Sequence, residues 1–255
     1  LAATLGTGNG VRVWDWQQNR PPLADAAYGG ASFGASWHQD GRLATSCDDG
    51  KLRLYRLPTA PDQGNAGLQK LAEQAAPGGK HPFALAFAPD GRSLAVGYDD
   101  NTRVDVVDGQ TLQQRFAADT QGVGNGTLNS VAWSRDGQTL AAAGRWDRNG
   151  RNMVRRWPQA GRGPAQDTAT TQNTIMHLAS LPGGGWLVGA SDPAWGVLTD
   201  NGTWQARAGA PQADLRGSKR DAFLLNQNGS KLQFDYEYGD KTAHRFDVAH
   251  RLLSA

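Results

Sequence analysis

Cysteine is almost missing from this chain: Cys47 is the single one among 255 residues, which excludes an internal disulfide framework. Methionine occurs twice. No apolar run approaches the ~18 residues that would cross a bilayer, no secretory leader is visible, and no long stretch carries apolar residues at the helical period. Charge of neither sign dominates, since 26 Lys and Arg face 24 Asp and Glu for a net +2. A nucleic-acid binder driven by phosphate neutralisation would concentrate its basic residues. The two basic clusters here, 145–156 and 216–220, read as solvated loops. These absences predict a cytoplasmic protein that contacts neither membrane nor nucleic acid.

What the chain has instead is a repeat. Short Leu-led segments of small residues begin at positions 1, 43, 94, 140, 187 and 232, spaced by 42 to 51 residues. Five are preceded by a tight-turn pair: Asp40-Gly41, Asp90-Gly91, Asp136-Gly137, Gly183-Gly184 and Asn228-Gly229. An apolar strand precedes each turn, at 33–37, 83–87, 128–133, 175–178 and 222–225. A third strand alternates basic and apolar residues, as in Val11-Arg12-Val13-Trp14-Asp15, Leu52-Arg53-Leu54-Tyr55 and Val154-Arg155-Arg156-Trp157. That alternation predicts one buried and one wet face. A fourth, outer strand is weakly marked at 112–116, 203–206 and 251–253, short and polar as edges tend to be.

A four-stranded unit with a period in the forties predicts an all-β fold, a β-propeller of antiparallel blades. Six blades are visible as a minimum and seven are compatible. The whole of 1–255 reads as one domain. The first repeat shows a second strand with no inner strand before it. The expectation is therefore a fragment of a longer polypeptide, the C-terminal part, with that strand supplied from outside these residues.

The residues resemble the WD40 family. Phe83 through Ala88-Pro89-Asp90-Gly91-Arg92 and Leu94-Ala95 match its strand-turn-strand, and Trp14-Asp15 its closing dipeptide. No Gly-His pair precedes the inner strands. The resemblance thus implies that the family's buried tetrad of His, Asp, Ser/Thr and Trp is absent from most repeats, leaving packing to the apolar strands. A narrower resemblance runs through Leu128-Asn129-Ser130-Val131-Ala132-Trp133 with Gly144-Arg145, Arg155-Arg156-Trp157, Gly161-Arg162-Gly163-Pro164, Asp192-Pro193-Ala194-Trp195-Gly196, and Phe234 to Tyr238 with Arg245-Phe246-Asp247. These look like the propeller half of bacterial multidomain proteins that carry a caspase-like peptidase upstream. Such a propeller would sense a trigger or hold substrate.

Catalytic constellations fail on context. Gly30-Ala31-Ser32-Phe33-Gly34 has the nucleophile-elbow spacing but leads into a strand, not a helix. Cys47 sits at the end of a predicted strand and His177 in a strand three repeats away, so no nucleophile and base pair forms. The Asp pairs lie at turns, where Asp bonds its own backbone, and no Asp-x-Asp-x-Asp-Gly calcium loop occurs. Gly6-Thr7-Gly8-Asn9-Gly10 and Gly122-Val123-Gly124-Asn125-Gly126 lack the Lys-Ser/Thr ending of a phosphate loop. No catalytic residue, metal or cofactor is expected.

Strand order places the connections between blades and the turns from second to third strands on one face. The longest connections, 58–82, 117–127, 144–152 and 207–220, are of those kinds, so this face is expected to bind a partner. Its candidate contact residues are Tyr98, Asp99, Asp100, Arg145, Trp146, Arg148, Asp192, Trp195, Tyr236 and Tyr238, aromatics and charges of interface type. The reading is a non-catalytic recognition, sensor or scaffold module for protein or peptide. The alternatives are a propeller with its own hydrolase or lyase site built on His38 or His177, and a purely structural platform.

Overall fold

The computed structural model describes residues 2–6, 10–15, 22–57, 68–191, 194–207, 223–234, 244–247 and 252–254. Their strands form six antiparallel sheets, each in chain order. The first contains β1 (Ala2–Leu5), β2 (Val11–Trp14) and β3 (Leu23–Asp25). The second contains β4 (Ala35–Trp37), β5 (Arg42–Ser46), β6 (Lys51–Arg56) and β7 (Gln69–Ala75). The third contains β8 (Pro82–Phe87), β9 (Ser93–Tyr98), β10 (Val104–Asp108) and β11 (Gln114–Ala117). β12 (Ser130–Trp133), β13 (Leu140–Arg148), β14 (Arg151–Trp157) and β15 (Gln166–Ala169) make the fourth. The fifth holds β16 (Ile175–Ser180), β17 (Trp186–Ala190), β18 (Trp195–Leu198) and β19 (Trp204–Arg207), and the sixth β20 (Phe223–Leu225), β21 (Lys231–Phe234), β22 (His244–Asp247) and β23 (Leu252–Ser254). The one helical element among the described residues is the four-residue turn Pro158–Gly161. This is the all-β, four-stranded blade architecture of a β-propeller, with an incomplete first blade.

Two compact units divide the chain. Residues 1–192 with 196–206 hold the first five sheets, and 193–195 with 207–255 hold the sixth. In the sixth, Leu225 pairs with Leu232 and Leu232 with Phe246. Its hairpin closes through the Gly229 N–H to the Asn226 carbonyl at 3.0 Å.

The turn glycines explain the repeat's punctuation. Gly41, Gly91, Gly137, Gly184 and Gly229 all have φ between 67° and 94°, a region that side chains disfavour. The small residues that follow are buried on both faces: Leu43, Ala44, Thr45, Ser46 and Cys47 have no exposure, nor have Leu94, Ala95 and Val96, or Leu140 through Ala143. Two of the six Leu markers are out of step. In the fifth sheet the turn closes at Gly185, so Trp186, only 1% exposed, fills the position that Leu43 fills in the second. In the first sheet Ala2 lies opposite Trp14 as Leu43 lies opposite Tyr55, leaving Leu1 one place early.

Neighbouring sheets of the first unit are tied through their inner strands. The Phe87 N–H donates to Ser36 Oγ at 3.1 Å, Trp133 Nε1 to the Ala86 carbonyl at 3.0 Å, and the Leu178 N–H to Ser130 Oγ at 3.0 Å. Outer strands β3, β7 and β15 were not legible in the sequence. β7 occupies much of what reads as a long 58–82 connection. The 144–152 connection is likewise a hairpin: β13 runs on to Arg148 and turns through Asn149 at φ 54° and Gly150 at φ 72°, the pair of positive angles that such a turn requires.

The third strand keeps the expected alternation in the first sheet, where β2 buries Val11 and Val13 and exposes Arg12 and Trp14. In the second to fourth sheets the matching polar positions are not wet: Arg53 is 2% exposed, Asp105 0% and Arg155 3%. A strand flanked by blades on both sides has no wet face, so each charge is neutralised locally. Arg53 holds Asp49 at 2.6 Å and Glu73 at 3.2 Å, and its guanidinium lies 4.0 Å from the centre of the Tyr28 ring. Asp105 accepts from Tyr98 Oη at 2.8 Å, Arg103 Nη2 at 2.8 Å and Gln114 Nε2 at 2.9 Å. Arg155 grips Asp167 through Nε at 2.7 Å and Nη2 at 2.9 Å, and donates to the Gln121 carbonyl at 2.8 Å. A further buried relay joins Tyr28 Oη to Thr45 Oγ1 at 2.6 Å and to Tyr55 Oη at 2.9 Å, with Tyr55 donating to Asp25 at 2.8 Å. Packing therefore does not rest on apolar strands alone.

Arg53→Met should cost about 3–5 kcal/mol at neutral pH, because Asp49 is left without its partner. Burial alone would raise the Asp49 carboxyl, but Arg53 and the Gly29 N–H outweigh it and hold it well below its ordinary range. Hydrogen bonds from Lys51 and Lys70 hold Glu73 at about 2. Carboxylates depressed in the fold stabilise it fully above their unfolded values, near 4, and lose that contribution as pH falls toward the folded values. Denaturant titrations should show the full wild-type advantage at pH 7 and a narrower one at pH 3.

Candidate partner-binding face

The turns from second to third strands are built by short-range polar bonds to the loop that enters the same sheet. Asp49 Oδ2 accepts from the Gly29 N–H at 3.1 Å, and Asp100 Oδ2 from the Lys80 N–H at 2.8 Å. Tyr98 Oη accepts from the Gly78 N–H at 3.0 Å, and Asn125 Nδ2 donates to Asp147 Oδ2 at 3.0 Å. Asp is favoured here because its short carboxylate reaches backbone N–H groups that no strand satisfies.

A second set of bonds crosses from one blade to the next on the same face. Asp48 Oδ1 lies 3.1 Å from His81 Nδ1. Asp99 Oδ1 receives Arg145 Nη2 at 2.6 Å and Asn129 Nδ2 at 3.0 Å. Arg145 and His81 are each 49% exposed, with Asp99 38% and Asp48 33% exposed. They form a polar arc across the second, third and fourth blades.

Beside the arc stands an aromatic pair that sequence reading assigned to the inner strands. Phe33 and Phe83 stack with centroids 5.2 Å apart and planes 22° from parallel. Phe33 is 51% exposed. Both lie four residues before Trp37 and Phe87, which face Leu43 and Leu94 in their sheets, so they are the same position in successive repeats. Ser46 Oγ donates to the Phe83 carbonyl at 2.5 Å, and the Asp99 N–H to the His81 carbonyl at 3.0 Å, binding pair and arc into one patch. The signal was present: two aromatics recur at the start of an inner strand next to a small residue.

The ten expected contact residues separate. Asp99 and Arg145 are brought together as described, and Asp100 is exposed at its turn. Arg148 is exposed, lies 3.3 Å from Asp167 and covers the Trp146 ring. Trp195 is 39% exposed at the start of β18. Tyr98 and Trp146, in contrast, are 0% and 1% exposed. Tyr98 is a buried donor to Asp105, and burial together with that carboxylate pushes its phenol well above the ordinary range. Trp146 lies in the core with Val123 and Met153, its ring between the guanidiniums of Arg148 and Arg155 at 5.4 and 4.8 Å. Both are frame residues because the turns fold back over them. Asp192, Tyr236 and Tyr238 lie outside the described residues.

The other singled-out groups are placed plainly. Cys47 is buried with Val11, Val13 and Leu43. Ser32 is 6% exposed and precedes a strand. Among the described residues no group of three or more His, Cys, Asp or Glu is arranged to hold a metal, and no helix is long and apolar enough to cross a membrane.

Trp146→Ala should destabilise the protein by about 3–5 kcal/mol, as expected for emptying a buried indole site. A thermal melt of the variant, against one of Trp195→Ala with a change under about 1 kcal/mol, checks the separation of frame from surface.

Comparison with known proteins agrees with this architecture. The family model described as WD domain, G-beta repeat matches residues 31–56 and 115–151. The first match spans the inner three strands of the second sheet, and the other runs from β11 through the hairpin of β12 and β13. Over 94 residues, 36% of this chain, the sequence is 33% identical to coronin-7 of Homo sapiens and of Pongo abelii, and 32% identical to coronin-7 of Bos taurus. The aligned stretch spans only 9–10% of those proteins. Two segments of the chain thus match the WD40 repeat, and both lie on four-stranded blades.

Proposed function

We propose that this propeller is a non-catalytic recognition module whose partner, a protein or peptide, docks on the face of the turns between second and third strands. The carrying observation is the stacked pair of exposed Phe33 and half-buried Phe83 set against the Asp48, His81, Asp99 and Arg145 arc. An aromatic patch with a charged rim offers a partner both apolar burial and orienting polar contacts. WD40 repeats commonly serve as protein-interaction scaffolds, which supports the reading. The resemblance of the fourth to sixth repeats to peptidase-linked propellers supports a finer proposal. In it the protein is cytoplasmic and this face senses a trigger or presents substrate for a caspase-like cysteine peptidase elsewhere in the same protein.

The test is comparative capture from a native extract with wild type, Phe33→Ala, Arg145→Glu and the double variant. Partners specific to this face should fall about tenfold or more with each single change, in line with loss of a hot-spot residue. The melting temperature should stay unchanged. Retention of every partner by the double variant would overturn the assignment. Supplying the captured partner to the full-length protein and following cleavage of a peptide substrate tests the finer proposal, which fails if no cleavage responds.

A further inference from the structure

Four arginines are buried among the described residues, and three of them hold a carboxylate. Arg42 lies 2.7 Å from Asp40, Arg53 2.6 Å from Asp49 and Arg155 2.7 Å from Asp167. Arg156, 4% exposed, meets only carbonyl oxygens: its Nη1 donates to that of Asp200 at 2.7 Å and reaches that of Thr199 at 3.5 Å. The Asp200 carboxylate is turned away to the Gly185 N–H, which Oδ1 accepts at 2.9 Å. Carbonyl dipoles favour a cation without cancelling its charge, and a buried charge with no counter-ion is costly.

Packing does not account for the charge either. Arg156 faces Ala141 across the ladder as Leu54 faces Ala44 and Val106 faces Ala95 in the two preceding blades. Leu54 and Val106 have no exposure, and each packs in an apolar cluster with residues of the following blade. Arg156 meets Trp186 of the fifth blade instead, its guanidinium carbon 5.8 Å from the ring centre. Contact with an indole face supplies part of the missing stabilisation. Two donors are left over, since Arg156 Nε and Trp186 Nε1 are both buried with no hydrogen-bond partner among the described residues. Arg53 Nε, by comparison, has Glu73 at 3.2 Å. Glycine at 202 keeps the space beside the guanidinium open, because a β-carbon there would collide with Arg156 Nη2. Asp200 and Asn201 of the same turn are exposed, so the pair lies just beneath the surface.

We propose that Arg156 and Trp186 form a binding site for a small monovalent anion of halide type, seated between the fourth and fifth blades beneath the turn from β18 to β19. One uncompensated positive charge calls for one negative charge. Two N–H donors without an acceptor suit a spherical ion, which accepts from any direction. Phosphate or sulfate would bring further charge and more oxygens than these donors serve. The ion would tie the third strand of the fourth blade to the second strand of the fifth. It lies at the opposite strand ends from the proposed partner-binding face and is independent of it.

The probe is sodium chloride titrated into the intact chain against sodium gluconate at constant ionic strength, followed by thermal melting. Expected is a saturable rise in melting temperature, about 5 °C at a hundredfold excess over the dissociation constant, reproduced by sodium bromide. In crystals grown in bromide, anomalous scattering should place one ion within hydrogen-bond reach of both Arg156 Nε and Trp186 Nε1. Arg156→Met, which returns the position to the apolar series, should keep the fold and abolish the chloride response. Trp186→Phe keeps a ring but loses the N–H, and should weaken chloride at least fivefold. The proposal is overturned by melting that follows ionic strength alone, by a chloride response undiminished in either variant, or by bromide found only elsewhere. Should Arg156→Met fail to fold, the Trp186→Phe titration and the bromide position still decide.

Discussion

A charge buried in the third strand of a blade has to be neutralised where it stands, and most of this structure is arranged around meeting that requirement. Arg53, Asp105 and Arg155 occupy nearly the same place in three successive sheets, each without useful solvent contact. Their partners lie at the preceding turn, on or beside the outer strand and in the incoming loop: Asp49 and Glu73 for Arg53, Tyr98 and Gln114 for Asp105, Asp167 and the Gln121 carbonyl for Arg155. Each side chain thereby ties its own strand to two other segments. Removing such a centre leaves several polar groups buried without partners, which is why its loss costs more than the pair is worth on paper.

The proposed binding patch inherits its rigidity from those centres. Asp49 both holds Arg53 and caps the Gly29 N–H, so the loop leading to Phe33 is set by the same carboxylate that neutralises the strand. In the next blade Tyr98 bonds Asp105 inward and the Gly78 N–H outward, and it stands immediately before Asp99. The exposed pair of Asp99 and Arg145 is worth little as a surface ion pair. Its significance lies in position, at the end of a buried network that lets it present charge at a fixed place.

Much of the fold was legible in the sequence because turn chemistry and apolar runs are local properties. The Asp-Gly and Asn-Gly turns and the small second strands locate the inner three strands of most repeats to within a few residues. What was not legible depends on neighbours in space. Alternation in Leu52-Arg53-Leu54 suggested a wet face, which holds only if one side of the sheet is open; here a second blade covers it. Outer strands such as Gln69–Ala75 carry no pattern, since an exposed edge constrains composition only toward charge. Likewise Trp146 and Tyr98 looked like contact residues because they sit at turns. Only the fold shows that the turns close over them, while Phe33, with the look of core, is pushed out.

Three of the ion pairs that cross between blades share a direction. Asp25 of the first sheet meets Lys70 of the second at 3.1 Å, Asp48 of the second meets His81 at the entry to the third, and Asp99 of the third meets Arg145 of the fourth. At these three junctions the acid belongs to the earlier blade and the base to the later one, whereas Arg156 of the fourth sheet donates to the carbonyl of Asp200 in the fifth. The blades share one backbone plan and could in principle stack in the wrong order while the chain folds, a known hazard of repeat proteins. A reversed neighbour would bring acid to acid or base to base. At the first three junctions the charges thus give each blade one acidic and one basic side, so that its predecessor and its successor meet different chemistry.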